Sequence, residues 1–136
     1  MKLIFSFKTI LIGFLCVVLF TGCDKEDDSG YPRRVSIEYK ITGLSGVNGT
    51  LSSVSFTNET GGNNDLVNQS LPFSSKLTRT LNSGDNAVLS FRYNNGSGGT
   101  NVSIKLEILV DGKVIKTETV NSSTAVVIAA IAHVFI

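Results

Sequence analysis

Tryptophan is missing from this 136-residue chain, histidine occurs once and cysteine twice. Two cysteines cannot build a disulfide-rich scaffold, and with one histidine they cannot close a four-ligand structural zinc site. A dominant charge is lacking too: 12 Lys and Arg stand against 11 Asp and Glu, a net charge of +1. A nucleic-acid binder needs a basic stripe to displace counterions from phosphates, so that class loses its usual warrant. No Gly-x-Ser-x-Gly, His-Glu-x-x-His, phosphate-binding loop or dinucleotide fingerprint occurs. His133 lies in an apolar run, where a partly buried structural ring is expected rather than a general base. Asn63-Asn64-Asp65 and Asp85-Asn86 offer oxygen ligands but lack the spaced acid ladder of a calcium loop. No catalytic residue, cofactor or metal site is therefore assigned.

What is present begins with an address. Lys2 and Lys8 give a positive start, Thr9–Phe20 is almost unbroken apolar sequence, and Thr21-Gly22-Cys23 follows. An apolar run this short, with no stop-transfer charges after it, reads as a secretory signal peptide. Small residues before a cysteine resemble a bacterial lipobox, so residues 1–22 are expected to be removed and Cys23 lipidated. The competing reading is an uncleaved anchor in which Cys16 and Cys23 are merely buried hydrophobes. At about 0.8 kcal/mol per buried methylene, two or three acyl chains hold a protein to a membrane without a spanning helix. Residues 23–30 then form the lipidated cysteine and a tether in which Asp24, Glu26, Asp27 and Asp28 stand against Lys25. Such a run buries too little apolar area to offset its backbone entropy. It resembles the surface-export signal of Bacteroidetes lipoproteins, which implies an outer-membrane location facing outward; a solvated periplasmic spacer is the alternative.

From Tyr31 to Ile136 the hydrophobic period is two. Val35, Ile37, Tyr39 and Ile41 alternate with polar residues, as do Val54 and Phe56, and Ala87, Leu89, Phe91 and Tyr93 lie two apart in the same way. Lys76–Leu81 is more polar and reads as an edge strand. Gly43–Gly49, Glu59–Asn68, Asn82–Asn86 and Asn95–Asn101 are rich in Gly, Asn and Ser and read as loops. The spacing predicts one domain over 31–136, an all-β, immunoglobulin-like antiparallel sandwich of about seven strands. Asp111-Gly112 predicts a two-residue hairpin turn. Pairing Val110 with Lys113 sets Glu107 opposite Lys116 and Lys105 opposite Glu118, with Ile104, Leu106, Ile108 and Ile115 on the core face. Ala125–Ile136 is apolar on both faces and reads as a central strand covered on both sides. Pro72 excludes a central ladder position for Leu71-Pro72-Phe73, where Phe73 is either an exposed anchor or, as expected, a core plug.

Several of these features together resemble the extracytoplasmic domain of the MmpS family, small accessory proteins best known in mycobacteria. They are Val35–Thr42, Ser55-Phe56-Thr57-Asn58 with its Gly/Asn loop, Leu71-Pro72-Phe73-Ser74, Gly96-Ser97-Gly98-Gly99, and Val102–Val110 leading into Asp111-Gly112. The resemblance implies a membrane-tethered sandwich with an auxiliary role beside an export system for lipids or siderophores. It departs in carrying a lipobox where that family has a transmembrane helix. The expected protein is thus a lipid-anchored envelope lipoprotein, a non-catalytic accessory or interaction module whose partner is an envelope protein or transporter. A surface module for glycans or other extracellular polymers is the alternative, weakened by the missing Trp platforms.

Overall fold

A computed structural model describes residues Gly30–Ile136. Residues 1–29, with the expected signal peptide, Cys23 and nearly all of the expected tether, lie outside the described residues. Eight strands follow in order: β1 Arg33–Ser45, β2 Thr50–Thr57, β3 Asn63–Ser70, β4 Phe73–Leu81, β5 Asn86–Asn94, β6 Val102–Val110, β7 Lys113–Ser122 and β8 Val126–Val134. They form two antiparallel four-stranded sheets, β4-β1-β6-β7 in front and β3-β2-β5-β8 behind. The all-β sandwich follows from the alternation. Every second residue of β1, β5 and β6 is buried, and these rows meet those of β2, β4 and β8 in one core. Fully burying each such side chain is worth about 1.5–3 kcal/mol. Tyr39, Phe56 and Phe73 run across the core with ring centroids 5.1 and 6.0 Å apart, so Phe73 is a core plug. Among the described residues no helix is long and apolar enough to cross a membrane.

Three expectations need correction. The segment Glu59–Asn68 is a loop only in its first part; from Asn63 it pairs with β2, so the described residues hold eight strands where about seven were expected. Second, Asp111 and Gly112 do adopt the left-handed turn, at φ 50° and 80°, and Val110 does face Lys113. Beyond it Ile115 is an extra residue: Leu109 pairs with Val114 and Ile108 with Lys116. This bulge shifts the register, so Glu107 faces Thr117 and Lys105 faces Thr119. Lys105 and Glu107 find other partners. Lys105 Nζ lies 3.1 Å from Glu107 Oε1 on the same strand, and Glu107 stands opposite Lys40 of β1. Third, β8 is the edge of the back sheet, paired with β5 alone. One face packs inward through Val127 and Ile131, while Val126, Ile128 and Val134 are exposed.

Candidate functional site

The chain crosses between the sheets five times, and the connections gather at two ends of the sandwich. Near the domain's first strand lie 31–36, the β2–β3 and β4–β5 turns, the β6–β7 turn and Phe135. Asp111 N–H donates to Ser36 O at 2.9 Å, and Gly84 N–H donates to Phe135 O at 2.6 Å. We call this the near pole. At the far pole the β1–β2 loop, Leu71-Pro72, the β5–β6 loop and the β7–β8 turn converge. There Asn95 N–H donates to Ala125 O and Gly99 N–H to Ser123 O, both at 2.8 Å.

The two poles differ in charge. Arg33, Arg34, Glu59, Asp85, Asp111 and Lys113 lie at or beside the near pole, whereas residues 46–49, 71–72, 95–101 and 123–125 contain no charged residue. The far pole also holds a cleft of about 430 Å³, walled by Leu44, Val47, Leu71 and Pro72, with Thr42, Ser45, Asn48 and three glycines supplying the rest. Its loop is fixed from beneath. Tyr93, buried in the core, donates its hydroxyl to Asn48 O at 2.9 Å and accepts from Asn48 N–H at 3.0 Å. At Gly46, φ is +66°, and a Cβ would collide with the Asn101 carbonyl oxygen, so the β1–β2 and β5–β6 loops touch only because this residue is glycine. A rigid, uncharged cleft with apolar walls and amide and hydroxyl edges suits a neutral ligand or protein segment; a charged one meets no counter-charge there.

The near pole holds a different constellation. Arg79 is on the inward row of edge strand β4 and is 9% exposed. Its Nη1 donates to Asn86 O at 3.0 Å and its Nη2 lies 3.3 Å from Asp85 Oδ2, beside Gly61. The guanidinium thus ties the front sheet to the first residue of β5 and the turn before it across the open side. Deeper in, the Tyr39 hydroxyl is buried without a hydrogen-bond partner among the protein groups. Burial pushes its pKa up to about 12, and the nearby Thr57 hydroxyl and Arg79 charge offset that only in part. On the solvent face of the front sheet, the bond from Lys40 holds the Glu38 carboxyl below its ordinary value, and Ser74 donates to the same oxygen at 3.0 Å.

The residues weighed from sequence scatter. His133 is half-buried, edge-on to Phe135 at 4.9 Å. Asp65 lies in β3 opposite Ser55, and Asp85 serves Arg79. Among the described residues no group of three or more His, Cys, Asp or Glu converges to hold a metal ion. No protein-family model matches the chain, and no curated protein does. Leu44 and Val47 escaped the sequence reading; apolar side chains inside a glycine-rich loop were the available signal. Arg79 escaped it as well, although it falls on the inward phase of Phe73–Leu81.

Proposed function

We propose that this chain is a lipid-anchored envelope protein whose sandwich works as a non-catalytic interaction module through its far pole. The supporting observation is the separation of the ends. Residue 30 enters at the near pole, so an anchor at Cys23 leaves the uncharged cleft at the opposite end free for a partner. In this reading the partner is an envelope protein, as for an auxiliary of an export system, and the location is the outer membrane facing outward. Co-purification from detergent-solubilised envelope tests it. A protein should be recovered in constant ratio with the wild-type chain and lost with Leu44→Asp, which changes an exposed cleft residue and spares the core. Recovery of the chain always alone would remove the reading.

A second reading, a module for neutral extracellular polymers, is favoured by the uncharged far pole and its amide and hydroxyl edges. The cleft lining contains no aromatic ring, so stacking on a sugar is not available to it. Polymer retention in affinity electrophoresis that Leu44→Asp abolishes is the result expected of this reading.

A further inference from the structure

The sequence of β8 is that of a strand covered on both faces, yet in this domain it is an edge with one face open. Four strands form the sheet edges, and three are guarded in the usual ways. The edge strand β4 carries Lys76 and the inward Arg79, β7 carries Lys113, Lys116, Glu118 and a bulge, and β3 is built from Asn63, Asn64, Asp65, Asn68 and Gln69. The last, β8, has no Lys, Arg, Asp, Glu or Pro, and its register against β5 runs from Asn86 to Asn94 without a shift. Its solvent row leaves Ile128 68% and Val134 54% exposed, and Ile136 beyond it 92%. An unbulged, apolar edge without Lys, Arg, Asp or Glu is a template for another strand.

The geometry points to a second copy of this chain as the occupant, with β8 pairing antiparallel to β8 and joining two back sheets into one of eight strands. The row is self-complementary about Ala130. There Ile128 meets Ala132 of the other copy and Val126 meets Val134, large against small and apolar against apolar. No like charges face each other, the usual obstacle to pairing a strand with itself. The neighbouring edge β7, which lies against β8, supplies the charge complement. Lys116 and Glu118 there give two copies brought side by side by β8 a cation and an anion to set against each other. The area sets the strength. Nine residues at about 3.4 Å and two sheets about 10 Å apart give a side of roughly 300 Å² per copy. The total of roughly 600 Å² falls below the 1,200–2,000 Å² of stable interfaces, so the dimer is weak and concentration-dependent. Antiparallel pairing sends the two near poles to opposite ends, so the pair forms between copies freed from the membrane or held on two facing ones, not side by side on one, and it does not rest on the proposed function.

The test places the photo-crosslinking amino acid p-benzoylphenylalanine at position 128 of the full chain in detergent solution, with position 67 on β3 as the control. Illumination should give a dimer from position 128 that rises with concentration and maps to residues 126–134 of the second copy, at least tenfold more than from position 67. Adding Ala132→Lys, which faces position 128 across the pair, to the probe-bearing chain should cut that yield at least tenfold, and the singly substituted Ala132→Lys chain should keep the wild-type melting curve. Equal yields from both positions, monomer alone at the highest concentration, or capture of a different protein at position 128 would each overturn the inference.

Discussion

At the scale of single residues, two buried polar groups make opposite contributions. The Tyr39 hydroxyl is desolvated and gains no protein hydrogen bond in return, so removing it relieves a penalty. We expect Tyr39→Phe to leave stability unchanged or raise it by about 1 kcal/mol in urea denaturation. The pH dependence carries the same signature. An unfolded tyrosine ionises near 10, whereas folding pushes Tyr39 up to about 12. Its contribution is therefore intact below pH 10, falls between pH 10 and about 12, and levels off above. Tyr39→Phe should flatten that alkaline loss; an unchanged pH profile would show that Tyr39 is not its source. Arg79 has partners that lose theirs when it goes. Arg79→Ala should cost about 1.5–3 kcal/mol, the range for hydrogen bonds to charged groups, measured as a shift in urea midpoint. A cost near zero would mean that the guanidinium does not brace the sheets.

At the scale of elements, legibility followed exposure. The strands β1, β2, β5 and β6 were readable because each has one face in the core, which imposes the two-residue period. By contrast β3 was not, since Asn63–Ser70 borders solvent along most of its length and only Leu66 packs against the core. The Ile115 bulge left no mark either: a two-residue turn fixes the first pair and says nothing of an insertion two residues on. In β8 the pattern misled, because apolarity on both faces reports that cover is wanted and not that the same domain supplies it. The far-pole cleft was illegible for a related reason: its walls come from two loops 22 residues or more apart, and only the crossing of the sheets brings them together. Gly46 tests that contact. Left-handed φ alone costs an L-residue about 1–2 kcal/mol, the penalty expected for Gly49→Ala, where no heavy atom obstructs a Cβ. Gly46→Ala adds the collision with the Asn101 carbonyl and should lower the melting temperature clearly further. Equal shifts for the two variants would mean the loops do not touch.

On the scale of the whole molecule, the sandwich has a division of labour along its length. The charged loop and turn residues and the Arg79 brace lie at the near pole, where the chain enters, and the far-pole loops are left uncharged, with Asn48 held by Tyr93. That polarity acquires a functional meaning when the near pole is fastened to a membrane, which depends on the chemistry of one sulfur atom. Intact-mass spectrometry of the chain extracted from envelope membranes measures it directly. The account predicts a polypeptide beginning at Cys23 and carrying a diacylglyceryl group with or without a third acyl chain. A mass that retains residues 1–22, or an unmodified Cys23, would contradict it.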